Sequence, residues 1–361
     1  MKKMFFLAAL SAIALTSCVN DESYNNEGPQ LALSFDAPAM KQTRANVKGE
    51  ITGVHYNADE DFTIFCKYYK GNFTSWDATE GDYFKPEGDV ATNEGNASKY
   101  WATAATYYWP DIEYNLAFAA YSPAVFGTAP EDIEHNAKGL QIKGFQTEAD
   151  ANAQYDLMYS DRVIDRNKTN NGSSAVPVVF NHALSSIVFS SEEEDESVNY
   201  EITDLKLTGD FIQKADFNQN IDEASVNKKA GVAKWENPAT AAAASYEPDF
   251  GTKVSVTTVP TQFTQNESAL LLIPQRIPAN AIVTVVYNKI VNPGTTEEKV
   301  MENTVEIPLS VFAQENGNQI TEWEMGKRYV YRIAFGQNKR IYFEPTTTDW
   351  VQEPTLIHVI Q

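Results

Sequence analysis

The side chains that most often do chemistry in proteins are few and scattered in this sequence. The four histidines are His55, His135, His182 and His358, and none lies in a metal-binding spacing such as H-x-x-x-H. The sequence contains no G-x-S-x-G motif and no Gly-rich phosphate loop. We therefore predict that the chain is not an enzyme and has no catalytic residue, metal site or cofactor.

Three polar features have structural interpretations. His182, within the run F-N-H-A-L, is predicted to form hydrogen bonds between strands. Cys66 alternates with aromatic neighbours in a strand-like run, which predicts a buried, unreactive thiol. The acidic run at residues 192–196 is predicted to form a solvated turn, because it lacks the ligand spacing of a calcium loop.

Cys18 differs from these residues because of what precedes it. Lys2 and Lys3 give a basic start, residues 4–15 are apolar apart from one serine, and Leu-Thr-Ser-Cys ends at Cys18. Such a segment is a secretory signal and is too short to span a membrane as a helix. Because it ends on cysteine, we predict removal of residues 1–17 as a lipoprotein signal peptide and lipidation of the Cys18 thiol. The alternative is an ordinary signal peptide that happens to contain a cysteine.

The charge of the chain limits its partners. The formal net charge is −21, and removal of residues 1–17, which carry two lysines and no acids, makes it −23. A strongly acidic surface argues against nucleic acid and anionic lipid as partners. We therefore predict an outer-membrane lipoprotein at the surface of a Gram-negative cell, attached to the membrane only through its lipid.

Hydrophobic periodicity predicts strands along most of the chain. The main predicted strands are 31–35, 61–69, 114–121, 176–180, 185–190, 201–207, 253–259, 269–273, 281–288, 329–335, 341–343 and 356–360. A short helix is favoured only at residues 147–159, with Thr147 as its N-cap. Short strands at this spacing predict all-β sandwiches.

A polar, Asn-rich and Ser-rich stretch at residues 166–174 reads as a linker. We place a domain boundary there, which gives an N-terminal β-sandwich domain at 45–172 and a C-terminal one at 173–361.

Several short motifs follow one another along the chain. They are Y-W-P at 108–110, F-A-A-Y-S-P at 118–123, D-L-M-Y at 156–159, F-N-H-A-L-S at 180–185, L-L-I-P-Q at 271–275, W-E-M-G-K-R-Y-V-Y at 323–331, I-Y-F at 341–343 and D-W at 349–350. In their order and spacing these motifs resemble the fimbrillin family, the subunits of type V pili in Bacteroidota. The resemblance covers nearly the whole chain.

This resemblance implies a fold of two tandem transthyretin-like β-sandwich domains with short helical insertions. It also implies export as a lipoprotein, cleavage near the start of the chain by an Arg-specific protease, and polymerisation with other fimbrial subunits by strand exchange. The product would be a surface fimbria that supports adhesion, with a host or glycan receptor as a further partner.

The predicted processing site is the bond between Arg44 and Ala45. On position alone, Arg44 is equally well a surface residue in a loop, and the resemblance to cleaved fimbrillins favours processing. Cleavage would release residues 18–44, which comprise a polar tether and a removable strand. Leu31, Leu33 and Phe35 of that strand are spaced to face a core. The alternative is that this strand stays paired in its own domain.

The predicted donor strand is the carboxyl-terminal segment. Leu356, Ile357, Val359 and Ile360 make both faces of this segment largely apolar, which suits a strand buried in a cleft. The alternative is a last strand that packs within its own domain.

Two other functions remain open from the sequence. One is a monomeric surface lipoprotein that binds glycans through the aromatic residues of its first half. The other is a tip or anchor subunit of the same pilus.

Overall fold

The computed structural model consists almost entirely of β-strands. The residues that it describes are 31–42, 53–55, 60–93, 100–171, 174–193, 198–226, 228–248, 251–262, 269–312, 319–336, 351–352 and 356–360. The helices within these ranges are short, namely α1 at Lys168–Asn171 and the 3-10 turns Ala151–Ala153 and Leu309–Val311. None of them is long and apolar enough to cross a membrane. The predicted all-β fold class is confirmed.

The strands are numbered in chain order. Strands β1 to β12 are Phe35–Asp36, Pro38–Gln42, Gly53–His55, Phe62–Lys70, Gly81–Asp82, Asp89–Thr92, Ala102–Thr103, Tyr114–Ser122, Asp132–Asn136, Gly139–Gln146, Met158–Ser160 and Val163–Arg166. Strands β13 to β20 are Val176–Pro177, Phe180–His182, Ser185–Glu193, Val198–Phe211, Lys214–Asn218, Lys234–Glu236, Ala242–Tyr246 and Val254–Ser255. Strands β21 to β29 are Thr261–Gln262, Leu270–Leu272, Gln275–Arg276, Ile282–Val291, Lys299–Pro308, Glu322–Trp323, Lys327–Phe335, Val351–Gln352 and Leu356–Ile360.

Within the described residues these strands form four larger sheets and two strand pairs. A ten-stranded sheet has the order β3-β2-β14-β11-β8-β4-β6-β7, with β5 on β4 and β12 on β8. A four-stranded sheet has the order β18-β17-β10-β9. A six-stranded sheet has the order β21-β15-β27-β28, with β22 on β15 and β29 on β27, and a five-stranded sheet has the order β19-β16-β24-β25, with β20 on β16. The two pairs are β1-β13 and β23-β26.

Both faces of the ten-stranded sheet are covered by apolar side chains. Its central strand β4 is rich in aromatic and β-branched residues, which favour extended backbone. Because side chains alternate along a strand, Ile64 and Cys66 point to one face and Phe65 and Tyr69 to the other. The first face borders a cluster that we call the N-terminal core. Its buried members are Leu33, Phe35, Ala37, Phe62, Ile64, Cys66, Phe84, Ala91, Trp101, Trp109, Leu116, Phe118, Ala120, Met158, Val176, Val178 and Phe180.

The remaining sheets enclose two further cores. The second face of the ten-stranded sheet packs with residues of the four-stranded sheet, including Leu140 and Phe217. The six-stranded and five-stranded sheets pack together, with Tyr331 of β27 in the same cluster as Leu205 of β16 and Val283 of β24. The long strands β4, β8 and β27 thus bury apolar side chains between sheets, as sandwich packing requires.

Strand pairing crosses the predicted boundary between residues 172 and 173. Strand β13 pairs with β1, β14 pairs with β11, and β17 pairs with β10. Segments beyond residue 173 therefore complete sheets that are built mainly from the first part of the chain. The domain division at 172/173 and the tandem transthyretin-like topology stay predictions.

The helix predicted over residues 147–159 is wrong. Only residues 151–153 form a 3-10 turn, which is capped by the Asp150 side chain accepting from the Asn152 N–H. Met158–Ser160 is instead strand β11, paired on both sides with β8 and β14. Tertiary strand pairing overrides the local helical preference of this segment.

The solvated turn predicted for residues 192–196 is wrong at its first two positions. Glu192 and Glu193 continue strand β15 and are each 7% exposed. The Oε2 atom of Glu192 lies 3.4 Å from Nη1 of Arg332 on the neighbouring strand β27. A buried partner of opposite charge therefore lets this acidic pair extend the strand.

His135 on β9 is held in an aromatic environment. Its ring centroid lies 4.1 Å from that of Trp76 and 5.6 Å from that of Phe65. Both ring nitrogens are buried, and neither has a hydrogen-bond partner within the described residues. Burial, together with the positive charges of Arg162 and Lys67, lowers the pKa of His135 well below 6.5. The folded protein therefore keeps this imidazole neutral at neutral pH.

We predict that His135→Phe makes the protein less sensitive to acid. Above about pH 6.5 the imidazole is neutral in both the folded and the unfolded state. As the pH falls below this value, the unfolded state takes up a proton that the folded state accepts only at its lower pKa. The parent therefore loses up to about 1.4 kcal/mol of stability per pH unit at this site, and the phenylalanine variant does not.

Urea unfolding from pH 8 to pH 5 measures this difference. Between pH 7 and pH 8 the two proteins should differ by a constant amount, which serves as an internal control. Equal losses of stability below pH 6.5 would contradict the assignment.

Candidate functional site

Residues 31–36 lie between two other segments of backbone. On one side the Phe35 N–H donates to the Trp101 carbonyl and the Trp101 N–H donates back to the Phe35 carbonyl, both at 2.8 Å. The Leu33 N–H donates to the Tyr107 carbonyl, also at 2.8 Å. These contacts are antiparallel and anchor the segment along one edge.

The other side of the same segment pairs with β13. The Val176 N–H donates to the Ser34 carbonyl at 2.8 Å, and the Val178 N–H donates to the Asp36 carbonyl at 2.7 Å. This pairing is parallel. The segment is therefore a central strand, and if it left, backbone donors and acceptors would lose their partners on both sides.

The side chains of this segment close the N-terminal core. Leu33 is 5% exposed and Phe35 is 0% exposed, while Leu31 is half-buried. Ala37 continues the alternation and is also 0% exposed. Sequence reasoning singled out the first three residues and missed Ala37, although the same period of two points to it.

The Phe35 ring fills a pocket of other aromatic rings. Its centroid lies 5.7 Å from that of Phe118, 6.2 Å from that of Phe84 and 6.4 Å from that of Phe62. All three contacts have the edge-to-face geometry that aromatic pairs favour. We use the name "groove" for the space that residues 31–37 occupy between residues 101–109 and 176–178, over these three rings.

Strand β2 carries the chain from the groove into the ten-stranded sheet. There β2 pairs antiparallel with β3 and parallel with β14. The predicted processing residues Arg44 and Ala45 follow β2 in the sequence and, like Cys18, lie outside the described residues. A cut between Arg44 and Ala45 would separate residues 31–36 and all of β2 from the rest of the chain.

The predicted donor residues Leu356, Ile357, Val359 and Ile360 lie in β29. This strand runs parallel to β27, with Leu356 opposite Tyr331 and Ile360 opposite Phe335. The other long neighbour of β27 is β15. Among the described strands β29 pairs with β27 alone, so it occupies an edge of the six-stranded sheet.

The remaining residues that could do chemistry lie in the interior. His182 Nδ1 is 2.6 Å from Oδ2 of Asp156, and Asp156 is 0% exposed, so the pair links β14 to the segment before β11. Cys66 is 2% exposed, and burial, followed by the charge of Asp82, raises the pKa of its thiol. Across the described ranges, no group of three or more His, Cys, Asp or Glu side chains is arranged to hold a metal ion.

These features describe an all-β protein with an N-terminal strand inserted at the centre of a sheet layer. A family profile described as Fimbrillin-like matches residues 43–350. The chain belongs to this fimbrillin-like family. That membership supports a role as a fimbrial subunit at the cell surface.

Comparison with solved structures finds relatives from Bacteroides. The chain is similar to a fimbrial protein from Bacteroides vulgatus, with 16% identity, coverage of 85% of this chain and 95% of that one, and a TM-score of 0.52. It is also similar to a proposed cell adhesion protein from Bacteroides uniformis, with 16% identity, coverage of 84% and 93%, and a TM-score of 0.45. No curated protein sequence matches the chain. The first of these structures supports the fold assignment.

We predict that Phe35→Ala lowers the free energy of unfolding of the uncut chain by about 3–5 kcal/mol, because it empties a fully buried aromatic pocket. The matched control is Ala32→Ser, since Ala32 lies in the same segment but is exposed, and its effect should stay within about 0.5 kcal/mol. Urea unfolding of the signal-free protein measures both. A loss below about 1 kcal/mol for Phe35→Ala would show that the groove is not closed by this side chain.

Proposed function

We propose that this chain is a structural subunit of a cell-surface fimbria that supports adhesion, and that it assembles by strand exchange after its N-terminal strand is removed by proteolysis. The observation that carries this proposal is the position of residues 31–36 between two paired backbone segments. In the sequence, these residues come shortly before the predicted cut. Membership of the fimbrillin-like family supports the fimbrial role.

Export and anchoring come first in this proposal. The signal peptide at residues 1–17 directs secretion, and acyl chains on Cys18 hold the precursor at the outer membrane. The precursor keeps its groove filled by its own strand. It therefore reaches the surface without an open strand edge, which would otherwise favour aggregation.

Cleavage after Arg44 by an Arg-specific protease then frees the strand. Once the strand leaves, the N–H groups of Trp101, Val176 and Val178 would lose their carbonyl partners, and the Phe35 pocket would become accessible. An apolar groove bordered by unpaired backbone groups binds an extended segment by strand addition. The same cut separates the body of the subunit from its lipid, which would release it into the fimbria.

In this proposal the carboxyl-terminal strand β29 of this chain is the donor to the groove of the next subunit. Its edge position on β27 means that it would give up one ladder of hydrogen bonds on leaving its own sheet. In a groove it would gain ladders on both sides. The rival possibility is that β29 stays on β27 and a different segment is the donor.

We predict that Arg44→Ala blocks maturation and leaves monomers, because the groove stays filled. The matched control is Lys48→Ala, which removes a nearby basic residue that an Arg-specific protease does not need. Intact mass of protein extracted from the cell surface distinguishes a lipidated start at Cys18 from a start at Ala45. Polymers of normal length from Arg44→Ala would refute the processing step.

We also predict that deletion of residues 356–361 prevents assembly without unfolding the subunit. Strand β27 keeps its long parallel pairing with β15 in the truncated chain, so a cooperative thermal transition should remain. In cells that also make the other fimbrial subunits, full-length protein cleaved at Arg44 should appear in ladders of multimers on a gel, and the truncated protein should not. Persistent ladders would assign the donor role to another segment, and an unfolded monomer would assign β29 to its own domain.

A further inference from the structure

We propose that the groove selects an incoming strand with an aromatic residue at the Phe35 position and a small residue at the Ala37 position, and that this strand comes from a different subunit and not from a second copy of this chain. The inference rests on the proposed strand exchange. It is drawn from the pocket that the groove presents once residues 31–37 leave.

The walls of the pocket belong to parts of the chain that remain after the cut. Phe62 lies on β4, Phe118 lies on β8, and Phe84 follows β5. All three rings meet Phe35 edge to face, so an aliphatic replacement would lose both volume and the favourable ring geometry.

The pocket walls are also braced by rings outside the pocket. Phe62 packs against Phe180 at 5.3 Å between centroids, and Phe84 packs against Tyr107 at 4.3 Å. Braced walls cannot collapse to fill a vacated space, so an undersized side chain leaves a cavity. The pocket therefore discriminates by size as well as by ring geometry.

The next inward position imposes the opposite demand. Ala37 is 0% exposed and belongs to the same N-terminal core. A larger side chain at that position would have to displace close-packed neighbours, which is unfavourable. In the direction of residues 31–37, the preferred strand is apolar, apolar, aromatic and small at alternate positions.

The carboxyl-terminal strand of this chain does not meet this demand. Its two faces carry Leu356, His358 and Ile360, or Ile357 and Val359, so neither face has a phenylalanine, tyrosine or tryptophan. Whichever of its two faces points into the core, this strand leaves the Phe35 pocket underfilled. A strand from a different subunit that carries the aromatic pattern therefore fits the groove better than the carboxyl-terminal strand of a second copy does.

Peptide exchange tests the inference. A specific protease site is placed between residues 43 and 52, and the full chain is cut in the presence of excess fluorescent peptide, so that the groove is never left empty. The peptides are the parent sequence 31–42, its variants Phe35→Tyr, Phe35→Leu, Phe35→Ala and Ala37→Leu, the exposed-site control Ala32→Ser, and the chain's own sequence 351–361, which has no aromatic residue apart from His358.

Native mass spectrometry measures occupancy, and competition against the parent peptide gives relative affinities. Parent, Phe35→Tyr and Ala32→Ser peptides should bind within about threefold of one another. The Phe35→Leu, Ala37→Leu and 351–361 peptides should bind at least about tenfold more weakly, and Phe35→Ala at least about 100-fold more weakly.

The outcomes separate this inference from the proposed function. If the parent peptide binds and the 351–361 or Phe35→Ala peptide binds equally well, strand exchange stands and the selectivity is refuted. If the cut chain stays folded and no peptide enters, including the parent, the groove does not exchange strands and both proposals fail. If the cut chain unfolds, the same substitutions are placed in the uncut chain. Phe35→Leu and Ala37→Leu must then each lower its melting temperature more than Ala32→Ser does, or the selectivity is refuted.

Discussion

Backbone pairing on both sides of residues 31–36 is the constraint on which the first half of this protein depends. An edge strand that leaves a sheet disturbs only one neighbouring strand. A central strand lies between two segments that both pair with it, so its loss separates them. Here those segments are residues 101–109 and 176–178, which are far apart in sequence. The Phe35 side chain occupies the centre of the N-terminal core between them. Loss of this strand would therefore separate the two segments and expose the N-terminal core at the same time.

The two ends of the chain are held in different ways. Residues 31–36 have neighbours on both sides, whereas β29 pairs with β27 alone among the described strands. An edge strand has fewer obligatory contacts and opens more readily than a central one. The subunit therefore has an occupied groove near its N-terminus and an edge strand at its C-terminus, so subunits that exchange strands would be joined in one direction. If strands are exchanged, the carboxyl-terminal strand is the one that leaves its own sheet by breaking a single ladder of backbone hydrogen bonds.

The sequence predicts the strands that carry their own signal. Strands β4, β8 and β27 are long, rich in aromatic residues, and match their predicted positions closely. Strand β25 was missed because nine of its ten residues are exposed or half-buried and its apolar residues do not alternate cleanly. Its conformation comes from pairing with β24. The helix expected at 147–159 failed for a related reason, since β11 is fixed by partners distant in sequence.

The sequence predicts which face of residues 31–35 is buried, but not which segments border the groove. The alternation of Leu31, Leu33 and Phe35 shows that one face of this segment is buried, and the structure places that face in a core. No local pattern shows that Trp101 and Val176 are its neighbours, because that pairing depends on the folding of the whole first half. The sequence around Arg44 carries no local signal for cleavage beyond the basic residue itself, so the predicted cleavage rests on the family resemblance.

A cut after Arg44 would by itself remove none of the contacts that hold residues 31–36. The cut changes the effective concentration of the strand at its groove. A tethered strand is presented to the groove at roughly millimolar effective concentration, whereas a released strand is diluted into the surroundings. The five backbone hydrogen bonds described for the groove contribute about 1 kcal/mol each, and burial of Phe35 contributes about 2–3 kcal/mol. A released strand with these contacts would still leave slowly unless another strand competes for the groove. The cut would therefore make exchange possible, while the shape of the groove would decide which strand replaces the one that was released.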